Sequence, residues 1–242
     1  MFKKLPRHIA IIPEGNRRWA KKRSALLKKE LPSFFGHKEG AKTTEKIFNA
    51  ALNFKIPYLT FWGLSLDNIK KRDASEVEFL FKLYEQYFQK LAWNRRVHQN
   101  QIKINVFGRW NELFPASVRQ AIRKAIGKTR NYKNYQLSFL MAYSGIDEMI
   151  NAIQRIAKIK KQNPKFKINE EAIKANLWTK ILPPVDLVVR TGGEPHWSSG
   201  FMMWDTANAQ FYFTDTFYPD FSIEEFERAI KQYSRTNRRM GG

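Results

Sequence analysis

The sequence contains no cysteine, which excludes disulfides and thiolate chemistry and permits a reducing compartment. It also lacks a long apolar run. No stretch approaches the ~18 apolar residues a membrane-spanning helix needs. The basic start, Met1 to Arg7, leads only into His8-Ile9-Ala10-Ile11-Ile12, too short for a signal-peptide core. A cytoplasmic protein, soluble or peripheral to a membrane, is therefore expected. Pro/Gly/Ser-rich linkers and internal repeats are missing too, so the 242 residues, 43% of them hydrophobic, are read as one domain with one sizeable core, 1–242. Acidic residues are scarce: 22 Asp and Glu face 43 Lys and Arg, a formal net charge of +21. Such a surface attracts nucleic acid, anionic lipid or phosphorylated small molecules. The basic residues are spread along the chain, with no RNP-type, zinc-finger or KH signature, which argues against nucleic acid as the partner.

Strands and helices alternate in the pattern. His8 to Ile12 is a short β-branched run that reads as a buried strand. Tyr58 to Leu64, Ile102 to Phe107, Tyr135 to Tyr143, Val185 to Val189 and Ala209 to Phe213 read as further strands. Helical spacing marks 38–54, 115–126, 147–161 and 222–234. Ser75 to Trp93 is a strong helix, with Val77, Leu80, Phe81, Tyr84, Tyr87, Phe88 and Leu91 on one broad apolar face. Capping boxes are expected at Ser75-Glu76-Val77-Glu78 and at Ser222-Ile223-Glu224-Glu225. The alternation predicts an α/β fold with a mostly parallel sheet flanked by helices. Ligands of such sheets bind beyond the carboxyl ends of the strands. The turns at 13–18, 65–68, 144–148 and 190–200 should therefore cluster.

Three segments carry chemistry. In Glu14-Gly15-Asn16-Arg17-Arg18-Trp19-Ala20, a glycine turn between strand and helix can aim backbone N–H groups at phosphate. Arg17 and Arg18 add guanidinium groups suited to it. A carboxylate beside phosphate makes sense when a divalent cation bridges them. In Phe35-Gly36-His37-Lys38-Glu39-Gly40, the glycine is expected to allow close approach of a ligand. In Arg190-Thr191-Gly192-Gly193-Glu194-Pro195-His196-Trp197-Ser198-Ser199-Gly200, an arginine at a strand end is followed by paired glycines and hydroxyls, a plausible anion site. Taken singly, each also reads as an ordinary turn or loop.

Together these segments closely resemble the signatures of the cis-prenyltransferases, the undecaprenyl and polycis-prenyl diphosphate synthases. The first two match in order and spacing. Ser65-Leu66-Asp67-Asn68 resembles a third family segment. Arg190 to Glu194, Trp204, Tyr212-Phe213-Thr214-Asp215 and Pro219-Asp220-Phe221 resemble the C-terminal signature, and Arg238-Arg239-Met240-Gly241-Gly242 its tail. The resemblance implies a central, mostly parallel sheet, usually in a dimer, with a hydrophobic tunnel for the growing chain. It implies Mg²⁺-assisted ionisation of an allylic prenyl diphosphate and attack by isopentenyl diphosphate to give a Z double bond. It implies that Gly15, Asn16 and Arg18, with neighbouring Arg17 and Trp19, hold the allylic diphosphate. His37, Ser65 and Asn68 match active-site positions. Arg190, with His196 and Ser198 beyond it, faces isopentenyl diphosphate. Arg239 and Gly241 match a tail that reaches the partner subunit's site.

Several positions depart from the family pattern. Glu14 stands for the essential Asp, and Gln210 for a Glu that helps hold Mg²⁺, so the metal is assigned to Glu14 and Gln210. Ser33 and Ile146 stand where arginines are usual, and Ile69 replaces a Trp. The second phosphate arginine is absent; His196 or Trp197 falls there. Each lost guanidinium–phosphate hydrogen bond is worth roughly 1.5–3 kcal/mol. Three readings follow: chain elongation with altered contacts, transfer to a different carbon or hydroxyl acceptor, or a partner subunit of a heteromeric synthase. A homodimer is expected, with a heterodimer as the alternative. An anionic membrane surface, where long prenyl products reside, suits the positive charge.

Overall fold

Ile9 and Ile11 pack into one core cluster, Ala10 and Ile12 into another, and all four are buried. This period of two is what a strand covered on both faces requires. The structure, a computed structural model, describes residues 4–32 and 34–236. In chain order the elements are β1 (His8–Ile12), α1 (Asn16–Leu27), α2 (Phe34–Asn53), β2 (Tyr58–Ser65), α3 (Leu66–Lys71) and α4 (Ala74–Leu91). Next come α5 (Arg95–Gln99), β3 (Ile102–Phe107), α6 (Trp110–Leu113), α7 (Ala116–Thr129), β4 (Tyr135–Tyr143), α8 (Gly145–Gln162) and α9 (Glu170–Asn176). The last described elements are β5 (Leu187–Arg190), β6 (Gln210–Phe213), a 3₁₀ turn (Tyr218–Asp220) and α10 (Ile223–Arg235).

The six strands form one sheet in the order β3-β4-β2-β1-β5-β6, and every pairing is parallel. The α/β fold with a flanked parallel sheet is therefore as expected. The larger core cluster unites one face of the sheet with Ile47 and Phe48 of α2, Leu80 and Phe88 of α4, Ile122 of α7 and Phe226 of α10. The other face packs Trp62, Leu140 and Tyr143 against Leu182, Phe201 and Met202.

Local chemistry shifts some boundaries. Helix α4 starts at Ala74 after Asp73, which makes no side-chain cap. The capping box expected at Ser75 is not formed: the backbone is extended through Arg72 and Asp73, so the helix restarts early and Ser75 falls in its first turn. Glu78 pairs with Lys82 instead, at 2.7 Å. At α10 the Ser222 hydroxyl accepts the Glu225 amide as expected, at 3.2 Å. The Glu225 carboxylate turns to the hydroxyls of Thr214 and Thr216, so only half of that box forms. Strand β5 begins at Leu187 rather than Val185: the Val185 amide donates to Asp205 O, off the sheet, and Asp186 bonds only the first residues of β1 and β6, His8 O and Gln210 N, where the ladder begins.

A buried polar network ties together the segments on either side of β5. Glu148 accepts the Tyr143 hydroxyl at 2.5 Å and both the amide and the hydroxyl of Thr179. The same hydroxyl lies 2.8 Å from Asp205, which pairs with Lys174. Burial pushes the pKa of both carboxyls up.

Candidate active site

Helix α1 is entered through Gly15, whose φ of 98° is left-handed and which offers no side-chain cap. A Cβ there would meet Phe217 at 2.6 Å. The amides of the first turn have no intrahelical partners. They form a positive helix end suited to an anion.

The loop that precedes this turn is pinned. The Thr191 hydroxyl accepts the Glu14 amide at 2.9 Å and donates to the Glu14 carbonyl at 2.8 Å. Asn16 donates to Pro13 O at 3.0 Å, while its buried Oδ1 has no partner. Arg18 lies over the Phe217 ring, 5.4 Å from its centroid, and pairs with Glu194 at 3.0 Å. The glycines of Phe35-Gly36-His37-Lys38-Glu39-Gly40 serve a purpose different from the one expected. Both lie inside α2 and receive Asn16: a Cβ on Gly36 would sit 1.9 Å from its main-chain oxygen, and one on Gly40 2.3 Å from its Oδ1. Gly36 accommodates the α1 backbone, while Gly40 receives the Asn16 side chain and also lines an apolar cavity beside the cleft.

The expected clustering of turns is found. A polar cleft of about 500 Å³ is lined by Glu14, Gly15, Asn16, Arg17, Arg18, His37, Ser65, Asn68 and Ser198, all named from sequence. The 144–148 turn joins from behind, where Gly145 donates to Ser199 O at 3.2 Å. Ser65 caps α3 by accepting the Asn68 amide at 3.1 Å, which positions Asn68 on the wall.

Four described candidates, Trp19, Arg190, His196 and Gln210, stand outside the cleft lining. Trp19 stacks on Phe35, with centroids 6.0 Å apart, outside the cleft lining. Arg190 stands behind Glu194, 2% exposed, with only Nη2 within reach of Glu194 (3.3 Å) and the exposed His196 (3.4 Å). Its Nε and Nη1 are buried without partners. Gln210 does not join Glu14 within one chain. It pairs with Leu187 at the amino end of β5, three register steps from Arg190, whereas Glu14 follows the carboxyl end of β1. Arg239 and Gly241, like Ser33, lie outside the described residues.

Sequence reasoning missed Lys71, Arg72 and Glu76 as site residues. Arg72 donates to Glu76 at 2.6 Å, and His37 Nε2 lies 3.0 Å from the same carboxylate oxygen and 2.9 Å from the guanidinium. Burial, only partly offset by Glu76, lowers the pKa of His37 and keeps the ring neutral near pH 7. Burial would raise Glu76, but the His37 hydrogen bond and the Arg72 charge outweigh it and hold the carboxyl below its usual range. The Lys70-Lys71-Arg72 run was the available signal.

A second, apolar cavity of about 80 Å³ continues from the cleft beneath the sheet's carboxyl end. The two share Pro13, Asn16, His37, Trp62 and Gly63. Its deeper wall is Leu80, Leu83, Tyr84, Tyr87 and Phe88 of α4 with Phe139 and Met141 of β4. At the junction the β2–β4 register shifts between Trp62 and Leu64. Tyr84 donates to the Gly63 carbonyl there, at 2.7 Å. A bulge beside a site re-aims the strand locally.

A charged cleft is thus joined to an apolar cavity. Residues 12–241 match the protein family described as "Putative undecaprenyl diphosphate synthase". The chain belongs to this family, the cis-prenyltransferases. It is 39% identical to a tritrans,polycis-undecaprenyl-diphosphate synthase (geranylgeranyl-diphosphate specific) of Pyrococcus abyssi, over 98% of this chain and 87% of that protein. It is 37% identical to an isoprenyl transferase of Treponema denticola, over 97% of each. The solved structure of lavandulyl diphosphate synthase from Lavandula x intermedia, in complex with dimethylallyl diphosphate, superposes with a TM-score of 0.87 at 29% identity. That match covers 98% of this chain and 99% of the other. This cis-prenyltransferase is thus a transferase of prenyl groups, and the nucleic-acid reading falls away.

Proposed function

We propose that the chain transfers the prenyl group of an allylic diphosphate to isopentenyl diphosphate, giving Z-prenyl diphosphates. The carrying observation is the junction: a polar cleft lined by Arg17, Arg18, Lys71 and Arg72 as well as Glu14, Asp67 and Glu194 opens into an apolar cavity through five shared residues. That shape suits one molecule with a diphosphate at one end and hydrocarbon at the other. Burying the tail contributes about 0.8 kcal/mol per CH₂.

In this reading the α1 amides, Asn16 and Arg18 hold the leaving diphosphate. Negative charge grows on it as the C–O bond breaks, and fixed donors aimed at it lower the barrier. Arg190 takes isopentenyl diphosphate. A buried guanidinium with two unpartnered nitrogens is costly unless an anion arrives. Ser198 and His196 sit beside that route. Neutral His37, at the neck between cleft and tunnel, orients the head rather than carrying charge.

The residues present fit a magnesium ion. Among the described residues no ion pair reaches the Glu14 carboxylate, and no three His, Asp or Glu side chains group as a metal cage. One carboxylate plus substrate phosphates is the usual Mg²⁺ arrangement. Glu14 would hold it; Gln210 of the same chain would not. Bound there, the ion would neutralise charge on the departing diphosphate.

A homodimer is also our reading. Ile146, Ile150 and Ile153 are exposed on α8 at helical spacing, and Phe211 stacks on exposed Phe213 at the sheet's edge strand. Light scattering of the purified protein tests it, and a monomer mass would reject it. The surplus of cations suits an anionic membrane surface.

The functional test uses purified protein, Mg²⁺, labelled isopentenyl diphosphate and a panel of allylic diphosphates. Longer Z-prenyl diphosphates are expected by mass spectrometry. Recovery of unreacted starters alone would overturn the elongation reading.

A further inference from the structure

Helix α1 is packed at one end only. From Lys21 to Glu30 every residue except Ser24 is exposed. Leu26 keeps 67% of its surface and Leu27 54%. Around them stand Lys21, Lys22, Arg23, Lys28 and Lys29. Among the described residues, none of the five has an ion pair. Glu30 is the one carboxylate of the stretch.

Among the described residues nothing covers the two leucines and no carboxylate pairs with the five cations. Like charges on successive turns repel one another, and exposed adjacent apolar side chains mark a contact surface. The other end of the same helix carries Asn16 and Arg18 in the cleft. Twelve residues at 1.5 Å each set the tip about 18 Å from the site's rim.

We propose that this tip docks on an anionic lipid bilayer. Leu26 and Leu27 enter the acyl boundary, and Lys21, Lys22, Arg23, Lys28 and Lys29 engage the headgroup anions. The inference rests on the membrane reading above and names the face. Charge complementarity selects the occupant. A second copy seated tip to tip would bring like charges together in a chain of net charge +21. A nucleic acid would use the cations and leave the leucines in water. A bilayer takes both, as interfacial helices do. Docked this way, the cleft opens within reach of lipid-borne prenyl diphosphates.

The test is cosedimentation of the full chain with vesicles of phosphatidylcholine alone and of phosphatidylcholine with phosphatidylglycerol. Wild type is expected to bind the anionic vesicles. The exposed pair Leu26→Ser/Leu27→Ser should lose about tenfold in affinity. Lys28→Ala/Lys29→Ala should lose about 25-fold, at roughly fivefold per cation. A charge-matched pair on α10, Arg228→Ala/Lys231→Ala, should lose about twofold or less. All variants should turn over a short soluble allylic diphosphate at the wild-type rate. Wild-type vesicle binding by the leucine pair would overturn the proposal and leave the membrane reading standing. Equal losses for the α10 pair would overturn it in favour of diffuse charge. A leucine variant with a changed solution mass would overturn it in favour of a second copy. Failure of wild type to bind anionic vesicles would reject both membrane statements and leave the catalytic reading untouched.

Discussion

The main-chain oxygen of Asn16 stands 1.9 Å from the position a Cβ on Gly36 would take. The first turn of α1, whose amides have no intrahelical partners, therefore rests directly on α2. Gly36→Ala must lift that turn. A misplacement near 1 Å can cost about 10²-fold in rate, so kcat/KM should fall by at least about tenfold. Gly127→Ala is the control. It has open space in α7, and replacing a helical glycine should add about 0.5–1 kcal/mol of stability. Unchanged steady-state kinetics in the Gly36 variant would show that the contact does not position the site.

Arg190 should show stability and function pulling apart. Its side chain is buried with two nitrogens unpartnered, so Arg190→Ala removes a poorly compensated charge. The variant should melt at or above the wild-type temperature. Losing charge-assisted bonds worth roughly 1.5–3 kcal/mol each should nevertheless raise KM for isopentenyl diphosphate at least about tenfold. KM for the allylic substrate should move little. A melting temperature well below wild type would reveal a structural role instead.

The tunnel's deep end is aromatic. Phe139 meets Phe88 at 5.3 Å and Tyr87 at 5.9 Å between centroids, both edge-on. Tyr87→Ala should lengthen the space available to the tail and shift products toward longer chains. Mass spectrometry of the product mixture reads this directly. A product profile identical to wild type would place the chain's end elsewhere.

Acid should destabilise the protein through His8. The ring is buried in β1, with Nε2 2.9 Å from the Thr60 hydroxyl and Nδ1 2.9 Å from Pro183 O. Burial lowers its pKa to about 4 from 6.5. Above pH 6.5 the ring is neutral folded and unfolded, and no linkage cost exists. As pH falls toward 4 the unfolded chain binds the proton and the folded one does not, so stability declines, by about 3 kcal/mol at most. Denaturant midpoints measured between pH 7 and 4 should fall, with a shallower fall in His8→Gln. Parallel slopes for the two proteins would remove His8 as the cause.

The strands were legible because both faces of the sheet are covered, which leaves short apolar runs such as His8–Ile12 with few alternatives. The site loops were legible as a set, since a parallel sheet gathers the turns after its strands at one end. Helix α3 was not, because six residues hold too little periodicity; its Ser65 cap was the visible clue. The purpose of Gly36 and Gly40 was hidden as well. A glycine demanded by a ligand and one demanded by a neighbouring backbone look the same in sequence. Gln210 was legible only as a motif position, which does not say which end of a strand it occupies; it sits at the amino end of β6, away from Glu14 of the same chain. The α4 start was misread because Ser75-x-x-Glu78 fits a capping box on paper, while Arg72 and Glu76 were drawn inward to His37.

The Thr191 hydroxyl fastens both polar groups of one peptide-chain position, the amide and the carbonyl of Glu14. Two stretches far apart in the chain are thereby welded into a single rigid lip. A ligand that steadies either stretch must steady both, so pyrophosphate alone should slow deuterium uptake in the two segments together, to a similar degree.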